Sequence, residues 1–208
     1  MIFEKHLELR GKHATLAPSQ PHWLRYSEEQ LFQKYVSSYA QSMGTSLHEL
    51  AETLIRNNLK LKKNDELTVL SHLLNDGIPR SVIDMDRIYG NLRNYVNDAI
   101  GFKLTPEQIL YYSPYCFGTA DAISFRNNFL RIHDLKTGTA PAKMEQLLTY
   151  AALFCLEYKV KPGEIDVELR IYQNDEILHD EPTADDILHA MDCIVHHSRF
   201  LERMNEEG

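Results

Sequence analysis

Residues 117–136 read FGTADAISFRNNFLRIHDLK, two strand-like runs on either side of Asn127-Asn128. Asparagine is among the few non-glycine residues that tolerate the left-handed backbone of a two-residue hairpin turn. With the turn at these asparagines, cross-strand partners have numbers summing to 255. Phe125 then faces Leu130, Ile123 faces Ile132, and Asp121 falls opposite Asp134. Strand alternation puts Asp121, Ile123 and Phe125 on one face with Leu130, Ile132, Asp134 and Lys136, so two acids and a lysine extend a row of large apolar side chains. Opposed side chains have Cβ atoms about 4.5–5.5 Å apart, a spacing at which two carboxylates repel unless a cation lies between them. By pattern alone the pair reads either as a divalent-metal site or as solvated strand-end acids beside a surface lysine. A core-facing row of ionisable groups is not what the second reading predicts.

Outward from the hairpin, the chain divides into a helical first half and an α/β second half. Helical periodicity covers 28–41, 46–60, 66–74 and about 80–100. Ser46 followed by Glu49 reads as a capping box opening the second helix, ahead of an apolar stripe at Leu47, Leu50, Ala51, Leu54 and Ile55. Strands are expected at 108–112, 117–125, 129–136 and 166–172, with a helix at about 142–158 before the last strand and a final helix at about 184–204. The order is several helices, a three-strand meander, a helix, a strand and a helix, in one domain spanning 1–208. Residues 1–79 form its helical part and 80–208 its α/β core and C-terminal helix.

Composition narrows the function classes. The 208 residues are 43% hydrophobic and 25% charged, ordinary for a globular protein. With 22 Lys+Arg against 30 Asp+Glu, the net charge of −8 argues against coating nucleic acid by bulk electrostatics. It leaves room for a carboxylate site whose charge divalent metal cancels. Cys116, Cys155 and Cys193 are widely spaced among apolar neighbours and read as reduced core residues. The longest apolar run, Tyr150 to Leu156, is far short of a membrane helix, and the start Met1-Ile2-Phe3-Glu4-Lys5-His6 has no apolar signal core. A cytoplasmic protein without membrane contact is expected.

Two helices add polar groups. His48 and Glu52 are spaced i, i+4, as are Gln146 and Tyr150. A lone histidine is more often a polar core or capping group than a ligand, and Gln146 with Tyr150 also fits plain helix surface. His48-Glu49 begins an H-E-x-x pattern, but Glu52 occupies the place of the second histidine, so a metalloprotease helix is unsupported. Trp23, Tyr26, Tyr35 and Tyr39 are expected mainly as core, with base stacking the other use open to them.

These pieces together resemble the PD-(D/E)xK nuclease superfamily, in its RecB-like branch that includes small phage-encoded exonucleases. Gly44 to Glu52 matches G-x-x-x-H-x-x-x-E, Gly118-Thr119-Ala120-Asp121 the first acidic strand, Asp134-Leu135-Lys136 the D-x-K strand, and Gln146 to Tyr150 Q-x-x-x-Y. The four motifs keep the family's order and span about half the chain. The resemblance implies a restriction-endonuclease-like core and a Mg²⁺- or Mn²⁺-dependent deoxyribonuclease, an exonuclease in phage or bacterial DNA recombination or processing. Under it His48, Asp121, Asp134 and the Leu135 backbone carbonyl would hold the metal, and Lys136 would activate the attacking water. Gln146 and Tyr150 would brace the site or touch DNA, with Glu52 behind His48. The partner would be DNA, together with a recombination or single-strand-binding protein. Three cysteines, none placed around the motifs, give no iron–sulfur cluster, and no P-loop is present. The competing classes are a noncatalytic DNA- or partner-binding module on a nuclease fold and a metal-dependent hydrolase of RNA or another phosphoester.

Overall fold

The computed structural model describes residues 4–9, 11 and 14–206, so Met1-Ile2-Phe3, which open the segment read above for a signal core, lie outside the described residues. Four helices come first: α1 (Glu28–Ser38), α2 (Ala40–Arg56), α3 (Glu66–Asn75) and α4 (Met85–Gly101). A meander of β1 (Thr105–Ser113), β2 (Cys116–Arg126) and β3 (Phe129–Leu135) follows, then α5 (Glu145–Tyr158), β4 (Asp166–Gln173), β5 (Glu176–Asp180) and α6 (Ala184–Glu206).

The five strands form one mixed sheet in the order β1-β2-β3-β4-β5. All neighbours are antiparallel except β3 and β4, which run parallel because α5 carries the chain back across the sheet. Asn127 and Asn128 have φ of 50° and 59°, the left-handed pair that a tight hairpin demands, and the 255 register holds from Arg126↔Phe129 to Ala122↔His133. β5 escaped the sequence reading because its side chains are exposed, leaving no buried face to generate a period.

Both faces of the sheet are covered. On one side α2, α3 and α4 pack through Leu47, Ala51, Val69, Leu92 and Val96, joined from the sheet by Ala122, Leu135 and Tyr172. On the other, α5 and α6 pack through Leu147, Ala151, Ile187 and Ile194 against Leu110, Ala120, Ile123, Leu130, Ile132 and Ile171. Tyr35 and Tyr39 pack at the margin of the first core.

The capping box is not where the residue types suggested. α2 begins at Ala40, so Ser46 lies inside it, nearly buried, and donates 2.6 Å to Asp76 Oδ2 beyond the end of α3. The capping box forms instead at Ser27 and Gln30, opening α1. An apolar stripe beginning at Met43 extends α2 to the N-terminal side of the Ser-x-x-Glu signal, because tertiary burial outweighs a local start preference.

Candidate metal and nuclease site

The site lies where two glycines admit close neighbours. A Cβ on Gly44 of α2 would meet Thr137 Oγ1 at 3.2 Å, and one on Gly118 of β2 would meet the Tyr150 ring of α5 at 3.1 Å. Both positions admit a side chain closer than a Cβ would allow. Between them opens a cleft of about 540 Å³, lined by Gly44, Thr45, His48, Glu52, Thr119 and Asp121 among others.

Strict alternation fails here, and that overturns one expectation. Ala120 packs into the α5–α6 core and Ala122 into the α2–α4 core, although residues two apart on a regular strand share a face. The reversal is centred on Asp121, which therefore does not continue the Ile123 and Phe125 row. Its Oδ2 stands 3.6 Å from His48 Nδ1 of α2 and accepts the Leu135 N–H at 2.9 Å. Asp134 keeps the expected side, with Ile132 before it and Ile171 beside it on β4.

The cause is legible in β1. Its ladder passes from Pro106↔Ala122 to Gln108↔Ala120, so Glu107 falls opposite Asp121, and Glu107 has a φ of 51°. A left-handed residue inside a strand interrupts the pleat as a bulge does and re-aims the side chains of its rung. Glu107 Oε1 lies 3.9 Å from His48 Nδ1. His48, Glu107 and Asp121 each offer an atom within 4.8 Å of the others, the one such His/Cys/Asp/Glu group among the described residues. None of the sequence motifs contains Glu107; the signal that marks it is the β1–β2 register, which sets 107 opposite 121.

A third carboxylate, Asp134, lies in the neighbouring strand β3. Lys136 Nζ donates to Asp134 Oδ1 at 3.0 Å and to Gln146 Oε1 at 2.8 Å, so Gln146 serves the lysine. Asp134 is 2% exposed, and its Oδ2 is buried without a hydrogen-bond partner. Burial first, and the Asp134 charge second, push the Asp121 carboxyl up to about 7 against the pull of the Leu135 N–H and Lys136. Asp134 is raised as well, by burial, with Lys136 opposing. Glu107 is raised by burial and then by the Asp121 charge. Three carboxylates that all resist ionisation around one histidine form a site short of positive charge, and a divalent cation fits that donor set. The buried lone pair of Asp134 Oδ2 fits it for the same reason.

Glu52 corrects a second expectation. Its carboxylate takes Arg56 Nε at 2.7 Å and does not support His48, because Arg56 follows it by one helical turn and reaches the same rim. Tyr150 lies over Gly118, and Cys116, Cys155 and Cys193 are free. No helix among the described residues is long and apolar enough to cross a membrane.

Fold and site define an α/β protein whose five-stranded mixed sheet carries a carboxylate–histidine cleft, with a lysine paired to a further buried carboxylate. The chain belongs to the family described as Protein of unknown function (DUF2800), which matches residues 13–176 and so includes every site residue named above. No curated protein and no solved structure matches it.

Proposed function

We propose that this protein is a Mg²⁺- or Mn²⁺-dependent deoxyribonuclease, acting as an exonuclease in phage or bacterial DNA recombination or processing. The observation that carries the reading is Asp134: a nearly buried carboxylate with an unpartnered oxygen, set against Asp121 and shared with a lysine. A noncatalytic module has no use for so costly an arrangement, since like charges buried together work against the fold. The reading takes the sheet as a restriction-endonuclease-like core and 1–208 as one nuclease unit.

A bound divalent ion would supply a hydroxide near neutral pH and offset charge on the attacked phosphate. His48, Asp121, Asp134 and the Leu135 carbonyl are the groups that would hold it. The Leu135 N–H fixes the orientation of the Asp121 carboxylate before any ion arrives. Gln146 and Asp134 fix the position of the Lys136 ammonium, which would donate to a phosphate oxygen as charge develops. Tyr150 packs over Gly118 of β2, where it would brace the site.

Incubation with labelled linear duplex, single-stranded and circular DNA and with RNA, with and without Mn²⁺, tests the proposal. Metal-dependent loss of linear DNA is expected, with circular DNA spared. Cleavage of RNA alone would make the protein a different phosphoester hydrolase, and DNA binding without cleavage would make it a binding module.

A further inference from the structure

We propose that Glu107 is an additional cation ligand, forming with His48 and Asp121 a seat on the α2 side of the cleft, and that Arg56 is the residue that positions it. The inference rests on the metal-site reading above and adds to it a residue that none of the sequence motifs contains.

Three observations converge. First, the donor atoms of His48, Glu107 and Asp121 lie within 4.8 Å of one another, so one ion can touch all three with small adjustments. Second, the neighbouring Asp134 presents a buried oxygen with no partner, beside Asp121 in the next strand. That oxygen is the free side of a carboxylate whose Oδ1 takes the Lys136 ammonium at 3.0 Å. Third, the bend that brings Glu107 in is held from outside. The second guanidinium arm of Arg56 donates to the Pro106 carbonyl at 3.2 Å, while Nε is anchored on Glu52 at 2.7 Å. Pro106 immediately precedes Glu107, whose φ of 51° is unfavourable for a residue with a Cβ. Arg56 grips the bend at that point, and a planar fork can hold the carboxylate and the carbonyl together where a lysine cannot.

The donor chemistry also ranks the ions. Mg²⁺ demands near-ideal octahedral oxygen coordination and gives up its waters reluctantly, whereas Mn²⁺ accepts an imidazole nitrogen among carboxylates more readily. A seat of one histidine and two carboxylates therefore favours Mn²⁺ over Mg²⁺.

Calorimetric titration of the full chain with Mn²⁺, and separately with Mg²⁺, tests this without reference to cleavage. Glu107→Gln should weaken Mn²⁺ binding roughly tenfold or more while leaving metal-free thermal stability equal or higher, because it removes one of several repelling carboxylates. Arg56→Ala should weaken Mn²⁺ binding in the same direction, and Arg56→Lys should recover little of it. Should Glu107→Gln fail to fold, Glu107→Asp, which keeps the charge on a shorter stem, gives the same readout. Wild-type Mn²⁺ affinity in the Glu107 variants overturns the ligand assignment and leaves the metal-site reading standing. Unchanged affinity in Arg56→Ala overturns the positioning role. A wild-type protein that binds neither ion overturns this inference together with the reading on which it rests.

Discussion

Replacing Asp134 with Asn should make the metal-free protein more stable at high pH and leave it almost unchanged at low pH. Asp121 is pushed from 3.8 to about 7 in the folded state, a difference of about 3 pH units. At roughly 1.4 kcal/mol per unit this is on the order of 4 kcal/mol. The folded state keeps a proton that the unfolded chain gives up, so this stability is complete below about pH 4 and is lost as pH rises through 7. Burial is the larger cause and the Asp134 charge the second, so Asp134 accounts for less than half, up to about 2 kcal/mol. His133 runs the other way. Fully buried, its imidazole is pushed down to about 3, so its contribution is lost as pH falls below about 6.5. The two opposing windows overlap, which makes the wild-type curve a poor test, but His133 cancels in the difference between wild type and variant. The carboxamide introduced by Asp134→Asn can still accept from Lys136 and can donate its new N–H₂ toward Asp121. Urea unfolding in EDTA should show Asp134→Asn more stable than wild type by about 1–2 kcal/mol at pH 8, with the difference vanishing near pH 5. A variant destabilised equally at both pH values would refute the reasoning, since it would mean that the two carboxylates do not sense each other.

Lys136→Met removes the ammonium and keeps most of the stem; single-turnover cleavage should fall on the order of a hundredfold, while DNA affinity measured in Ca²⁺ changes little. A variant that binds tenfold worse but cleaves at the wild-type rate when saturated would reduce Lys136 to a tether. His48→Ala should weaken Mn²⁺ binding in calorimetry without lowering the metal-free melting temperature, and unchanged Mn²⁺ affinity would make His48 a structural residue. Asn128→Gly, at a φ of 59° in the hairpin turn, should stabilise the protein by about 0.5–1 kcal/mol in denaturant unfolding without altering activity.

Much of this architecture was written locally. The Asn127-Asn128 turn and the apolar alternation of 122–133 carry the register of β2 and β3, because a two-residue turn and a buried face together leave one pairing that keeps the apolar set inside. The acids Asp121 and Asp134 and the lysine were likewise marked by their spacing, as was the helix bearing His48. Three things were decided only when the chain closed on itself. Whether Ser46 caps a helix or lies within one depended on burial of the stripe that begins at Met43, and its hydroxyl then finds Asp76, thirty residues away. That Arg56 holds the bend beside Glu107 depended on the Pro106 carbonyl, fifty residues away in sequence. The side of the sheet to which Asp121 turns depended on the left-handed backbone of Glu107 in a neighbouring strand. Spacing within one strand reports a period, and a period assumes that the pleat is unbroken. A break imposed from the adjacent strand leaves no mark on the residues it redirects, so the sequence by itself named the acids, and only the tertiary structure decided which of them meet the histidine.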